Sequence, residues 1–490
     1  MINIKNIAFT IALIGCTLFA QARTIHCYAP QYKGQKVQLK ICVDHITQRP
    51  QTIAESIVDS TGHAKINYDY DQSIRAELYI QNKKGIIYLD DDTENYYVGF
   101  PYDEATKKQI RPEFIPLVFD SLSIDDINSL ILDYTLREDI FLFEDDSRIM
   151  LVMSKSQAYR DSLTAFTEEI LETYKDVEDP YFKDYIENSI ALLKLDSDRF
   201  HPERKRADIY HLYLRYTEHD FKNERFAALV SSVYSGLFTS SHILKRSLVE
   251  NKINTLQDLQ GLDDLMAEHF FLKRDTLREY VMVNALSEAY HSGMYDKLAI
   301  TKFLEYLKEN GKNEDIRLSA GNVLYYQQRL LKGSEAPIIS WQTKEGDIDT
   351  LSFDGYKYTY LTFYSSWHPL AVQEQQMIAN LKEKYGKHVH FVSICLDPTR
   401  RDFDIYLYKN RKQKMNWTQG YYQGNNDVLE AYAIRSSPSY IFINPNGKIL
   451  QAPALAPAMN GTYKSIDETM FNIKREREPK SRFRVGGRAN

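Results

Sequence analysis

The stretch that decides the fold runs from residue 358 to residue 381 and reads YTYLTFYSSWHPLAVQEQQMIANL. Its first seven residues are mostly aromatic or β-branched, which predicts a buried strand. From Gln373 onward the composition and spacing predict a helix, so residues 368 to 371 occupy its first turn. A thiol placed there would be acidified by the helix dipole and would become a good nucleophile. The chain instead has His368 and Ala371 in this turn, and neither carries a thiol.

Further segments flank this strand–helix junction in a fixed order. They are Gly333 to Pro337 (GSEAP), Leu351 to Lys357 (LSFDGYK), His390 to Asp397 (HFVSICLD) and Tyr432 to Ile443 (YAIRSSPSYIFI). The following stretch, residues 444 to 449 (NPNGKI), predicts a hairpin turn, because Pro fixes φ and Asn-Gly accepts positive φ.

Taken with the junction, these segments resemble bacterial thioredoxin-like proteins of the TlpA/ResA type over roughly residues 333 to 460. That family carries Trp-Cys-x-x-Cys where this chain has Trp367-His368-Pro369-Leu370-Ala371. The resemblance therefore implies an α/β thioredoxin-like C-terminal domain in which His368 and Ala371 replace the catalytic cysteine pair.

The resemblance also implies a site beside a cis-proline, here Pro438. In the family, the backbone next to this proline pairs with an extended polypeptide, and such pairing needs no sulfur. The peptide-binding residues expected on this basis are Trp367, His368, Ser437 and Pro438.

Three functional hypotheses follow, one of which is that the domain is only a structural module. The favoured one is a redox-inactive binding module of the bacterial envelope with a protein or peptide ligand. The alternative is a thiol-disulfide oxidoreductase or redoxin-like enzyme that uses a displaced cysteine, for which Cys395 is the only candidate in this domain. The strand pattern buries Cys395, which is typical of an inert small hydrophobe.

No cofactor or metal site is predicted. His388 and His390 lack a third ligand and are interpreted as solvated histidines at a strand end. Residues 90 to 94 (DDDTE) lack the glycine and the terminal glutamate of an EF-hand loop and are interpreted as a polar turn.

Length and charge set the broad class. A chain of 490 residues predicts two to four domains. With 61 basic and 67 acidic residues the formal net charge is −6, so nothing global points to a nucleic-acid partner.

Residues 1 to 22 have the pattern of a signal peptide. Lys5 precedes a short apolar run, and Ala20-Gln21-Ala22 supplies small residues for cleavage. This predicts export to the periplasm or cell envelope. An alternative interpretation takes residues 13 to 16 as a lipobox, with a lipid anchor at Cys16. No other segment is predicted to cross a membrane.

The remaining regions follow from pattern. Residues 23 to 102 predict β-structure, including a hairpin around residues 82 to 84, and look like the small β-sandwich that often precedes such domains. Residues 103 to 332 have helical periodicity and predict an all-α middle region. Residues 461 to 490 are basic and are predicted to be a disordered tail.

A disulfide between Cys27 and Cys42 is also predicted. The two cysteines are equally far from the centre of the link at Gly34 and Gln35, so a symmetrical hairpin would place them opposite each other. An oxidising compartment would favour the bond, while two free cysteines buried in the core are the alternative.

Overall fold

The computed structural model describes residues 23–101, 110–143, 156–197, 202–215, 221–241, 243–413, 415–424 and 426–478. They form two compact units. One contains most of the chain up to Leu324, and the other contains the chain from Tyr325 onward together with residues 81–83 and the described part of 103–114.

Two predictions for the amino terminus, the signal peptide at residues 1–22 and the alternative lipid anchor at Cys16, lie outside the described residues. Within the described ranges, no helix is long and apolar enough to cross a membrane.

Short strands occupy the chain up to residue 119. Their bounds are β1 Arg23–Tyr28, β2 Lys36–Ile41, β3 Gln51–Ile57, β4 His63–Tyr68, β5 Ile74–Ile80, β6 Lys83–Leu89, β7 Asn95–Gly99, β8 Glu113–Phe114 and β9 Val118–Phe119. The strand order is β4-β1-β7-β9 in one sheet and β3-β2-β5-β6-β8 in another. Burial alternates along β4, as expected when one face of a sheet is turned to a core. Residues of both sheets, including Ile25 and Val37, share one hydrophobic core.

The β-structure differs from the prediction in two details. The expected hairpin is formed by β5 and β6, but its turn is Gln81–Asn82, and Lys83 already belongs to β6. The strands β8 and β9 lie inside the region predicted to be helical, so that boundary is wrong. Each has only two residues, too few to show a period of two in the sequence.

The predicted Cys27–Cys42 disulfide is wrong. Both cysteines are free, because the link between β1 and β2 is not a hairpin. Cys27 in β1 lies opposite Ala64 and Val98 in the four-stranded sheet. Cys42 follows β2, which pairs with β3 and β5 in the five-stranded sheet. The chain changes sheets between the two cysteines, so they never become cross-strand neighbours.

The middle region is helical, as predicted. The α-helices are α1 Ile127–Phe143, α2 Gln157–Thr173, α3 Pro180–Asp196, α4 Pro202–Ile209, α5 Glu224–Val233, α6 Arg246–Glu250, α7 Leu259–Glu268, α8 Asp275–Ser292, α9 Lys297–Asn310 and α10 Glu314–Gln328. Tyr210–Leu214 and Asn251–Thr255 are π-helical, and Pro30–Tyr32 and Phe270–Leu272 are 3-10 turns. Asp179 caps α3 by accepting a hydrogen bond from the Phe182 N–H at 2.6 Å.

The C-terminal domain is built on a seven-stranded sheet. Its strands are β10 Ser340–Thr343, β11 Ile348–Thr350, β12 Tyr358–Tyr364, β13 Val389–Cys395, β14 Thr418–Tyr421, β15 Ser439–Ile443 and β16 Ile449–Gln451, in the order β11-β10-β14-β13-β12-β15-β16. β12 and β14 are parallel to β13, and β15 is antiparallel to β12. The helices are α11 Pro369–Tyr385, α12 Arg400–Lys409, α13 Asn426–Ala431 and α14 Ile466–Arg477. This β12–α11–β13 topology agrees with the predicted α/β fold.

The predicted disordered tail is wrong for residues 466 to 477, which form α14. Ile466, Met470 and Ile473 are buried on one face of this helix and join a core cluster with Ile378 and Leu381 of α11. The prediction relied on the basic residues of this segment. The helix is stabilised instead by burial of its apolar residues, which recur at helical spacing. Residues 479–490 of the predicted tail lie outside the described part of the chain.

Candidate functional site

The strand–helix junction lies where the sequence predicts it. β12 ends at Tyr364 and α11 begins at Pro369, a suitable first residue because proline has no N–H to leave unpaired. His368 precedes the helix in an extended conformation, with φ −94° and ψ 113°, and its side chain does not cap the helix. His368 therefore belongs to the loop rather than to the first helical turn.

Two hydrogen bonds hold this loop to neighbouring segments. The Ser366 N–H donates to Asp397 Oδ1 at 2.7 Å, just beyond the end of β13. The Ser365 N–H donates to Ser437 Oγ at 2.8 Å, which joins the loop to the segment before β15. The structure thus brings together three segments that are far apart in sequence.

The Ser437–Pro438 peptide bond is cis, so that prediction is confirmed. Ser437 differs from its prediction in one respect. Its side chain does not line the expected surface, because the residue is only 8% exposed and its hydroxyl faces the Ser365 N–H. The structure places Ser437 as a support for the loop.

Ala371, the second of the two positions where a cysteine would be expected, is deeply buried. Ala371 has no exposed surface and packs in a cluster with Tyr364, Cys395 and Phe403. Cys395 is also fully buried, and burial raises the pKa of its thiol well above the ordinary value, with the Asp397 carboxylate raising it further. A thiol held protonated in an apolar cluster is a poor nucleophile.

A buried carboxyl group lies one turn further along α11. Glu374 is 4% exposed, and its carboxylate accepts a hydrogen bond from the Tyr440 hydroxyl. Burial raises the pKa of Glu374 above its ordinary range. Glu374 was not predicted as a site residue. Its position was a usable signal, because residues three and seven positions after Ala371 share its buried helix face.

The outer face of the loop presents apolar and aromatic side chains. Leu370 is 47% exposed, Pro369 is exposed, and Trp367 and His368 are half-buried with ring centroids 5.9 Å apart. The buried polar atoms Trp367 Nε1 and His368 Nδ1 have no hydrogen-bond partner within the described residues. We call Trp367, His368, Pro369 and Leu370 the motif surface.

The prediction that His388 and His390 are solvated is wrong. His388 is 2% exposed and its Nε2 lies 2.9 Å from Glu478 Oε1, whereas His390 is half-buried beside Thr418. The two rings thus have separate hydrogen-bond partners rather than a shared one. Among the described residues, no group of histidine, cysteine or carboxylate side chains is arranged to hold a metal ion.

Comparison with known proteins finds similarity to solved thioredoxin-type structures. The thioredoxin domain of a thiol-disulfide oxidoreductase from Bacteroides vulgatus is 23% identical with a TM-score of 0.25, and the match covers 30% of this chain and 97% of that one. The thiol:disulfide interchange protein DsbE from Chlorobium tepidum is 23% identical with a TM-score of 0.25, covering 29% and 97%. A thiol:disulfide interchange protein from Bacteroides sp. is 22% identical with a TM-score of 0.26, covering 32% and 97%. No family model and no curated protein matches the chain.

Proposed function

We propose that the C-terminal domain binds an extended polypeptide at the motif surface and performs no thiol chemistry. The observation that carries this proposal is a surface of exposed Pro369 and Leu370 beside half-buried Trp367 and His368, with no reachable thiol among the described residues around it. The motif surface is therefore suited to binding rather than to electron transfer.

The residues at positions 368 and 371 argue against redox activity. His368 cannot form a mixed disulfide, and Ala371 supplies no resolving sulfur. The displaced-cysteine alternative depends on Cys395, whose burial keeps it from an incoming disulfide and raises its thiol pKa.

The case for an extended ligand rests on the neighbouring sheet. The β12–β15 ladder ends at the pair Phe363–Ser439, and Ser437 and Pro438 lie directly beyond it. A polypeptide in the β conformation would add backbone pairing there, while its side chains contact Trp367 and Leu370. Aromatic side chains at such surfaces often contribute most of the binding energy.

We further propose that the protein works in the bacterial envelope, after export through the signal peptide at residues 1 to 22. Its partner would then be an envelope protein or peptide.

The test uses the exported full chain and reduced, carboxymethylated α-lactalbumin, an unfolded polypeptide without free thiols. We expect saturable binding by fluorescence anisotropy. Trp367→Ala should weaken this binding about tenfold. Phe471→Ala is the matched control, because Phe471 is an exposed aromatic residue on α14 of the same domain. An undetectable interaction with the unchanged protein, or equal losses in both variants, would contradict the proposal.

A further inference from the structure

A cavity of about 810 Å³ lies in the C-terminal domain at the opposite end of β12 and β13 from the motif surface. Its walls come from Lys357, from the start of β13 at residues 389 to 391, from the start of β14, and from the carboxyl-terminal parts of α11 and α12. No residue of the motif surface is among the described residues that line it. The cavity is therefore separate from the site proposed above. Its volume is typical of a small-molecule site.

The lining of this cavity is basic. Its charged residues are Lys344, Lys357, Lys382, Arg411 and Glu345. Lys344 and Glu345 form an exposed pair at 3.6 Å, and Asp354, outside the lining, interacts electrostatically with Lys357. This leaves Lys382 and Arg411 without a balancing carboxylate among the described lining residues. Like charges that converge on one recess raise its potential and favour an anionic occupant.

Two of these cations are held in place by backbone carbonyls. The Lys382 ammonium donates to the Asn416 carbonyl at 2.5 Å. The Arg411 guanidinium donates to the Tyr408 carbonyl at 2.9 Å and lies 4.0 Å from the centre of the Tyr408 ring. A carbonyl oxygen does not neutralise a cation, so both groups keep their charge for a ligand.

The rest of the lining includes large apolar side chains. Phe391, Leu407, Met415 and Trp417 all contribute to the wall. The indole N–H of Trp417 already donates to Ser393 Oγ at 2.9 Å, so this residue offers its ring surface rather than a free donor. The cavity therefore combines apolar contact area with cationic groups.

Three lining residues have a buried polar atom without a partner among the described residues. These atoms are Thr343 Oγ1, Gln413 Oε1 and Gln419 Nε2. Gln419 is 8% exposed, and its Oε1 accepts from the Tyr364 hydroxyl at 3.2 Å, so its amide hydrogens remain unused. Unpaired buried polar groups are uncommon in folded proteins and call for an explanation. Thr343 Oγ1 and the Gln419 amide can donate and Gln413 Oε1 can accept, so unused hydrogen-bonding groups lie just beneath the cavity surface.

We propose that this cavity binds an amphipathic organic anion, a small molecule with an aromatic or aliphatic body and a sulfonate, carboxylate or phosphate group. The body packs on Leu407, Met415 and Trp417, and the anionic group lies near Lys357, Lys382 and Arg411.

The test compares two fluorescent probes of nearly the same shape with the full chain. The first, 8-anilinonaphthalene-1-sulfonate, is an anion, and the second, N-phenyl-1-naphthylamine, is its uncharged relative. Lys382→Glu and Arg411→Glu reverse charges on the cavity wall, whereas Lys332→Glu makes the same change at an exposed residue outside it. We expect saturable binding of the sulfonate, weakened at least about fivefold by either cavity variant. Its affinity for Lys332→Glu and the neutral probe's affinity for all variants should stay within about twofold.

Three results would overturn the proposal. They are an absence of saturable sulfonate binding, an equal loss in Lys332→Glu, and an equal loss for the neutral probe. Thermal unfolding of each variant checks that it is folded. If Lys382→Glu is unstable, the binding result for Arg411→Glu is used instead. Arg411 is exposed and its side chain donates to the carbonyl of Tyr408, only three residues away, so this substitution should disturb the fold little.

Discussion

The two ends of the seven-stranded sheet differ in how their side chains are assembled. At the motif end, Ala371 and Cys395 belong to a buried, mainly aromatic cluster, and the Cys395 thiol is not accessible. At the other end, charged side chains from separate segments surround a cavity. One end of the sheet thus has the strand–helix junction that the sequence predicts, while the other gathers charged side chains that no local pattern reveals.

The largest expected effect is on the stability of the buried cluster around Ala371 at the motif end. Ala371→Asp places a carboxylate in the apolar cluster and should lower the free energy of unfolding by at least about 3 kcal/mol. The measurement is urea denaturation followed by circular dichroism. Asn380→Asp introduces the same group at an exposed position of α11, and should change the free energy by no more than about 0.5 kcal/mol. Comparable losses in both variants would show that the motif end is not packed as described.

A smaller effect is expected from Glu374, whose pKa is raised by burial. The folded state keeps this proton at pH values where the unfolded chain has lost it. Stability therefore falls as pH rises from the ordinary carboxyl pKa of 4.5 to the raised folded-state pKa, and the contribution is constant above that. Glu374→Gln cannot ionise, so its stability should fall less than that of the unchanged protein through this window.

Urea denaturation at a series of pH values measures this difference. Glu383→Gln is the control, because Glu383 is exposed on the same helix and should leave the pH profile unchanged. A Glu374→Gln profile parallel to that of the unchanged protein would mean that the carboxyl group is not buried in the folded state.

The same contrast shows what the sequence could predict. Two adjacent local signals encode the strand–helix junction at the motif end: an aromatic strand and a proline at the start of the following helix. These are local constraints on backbone geometry, and a single stretch of sequence reveals them. The junction was predicted in this way, whereas the order of the elements and the cis bond at Pro438 were implied by the resemblance to thioredoxin-like proteins.

The cavity could not be predicted, because its charges come from positions with no common period. Lys357, Lys382 and Arg411 are brought together only by the packing of two helices on the sheet. The Cys27–Cys42 pairing failed for a related reason, since the choice between sheets depends on contacts with distant strands. The helix at residues 466 to 477 was not predicted, because the basic residues at its end favoured disorder and the apolar spacing of Ile466, Met470 and Ile473 was overlooked.

The most direct test of the central claim is the reduction of insulin disulfides by dithiothreitol with the full chain present. We expect the same rate with and without the protein, because neither His368 nor Ala371 carries a thiol and Cys395 is fully buried. A faster rate that disappears in Cys395→Ser would contradict it and would favour an oxidoreductase with a displaced cysteine.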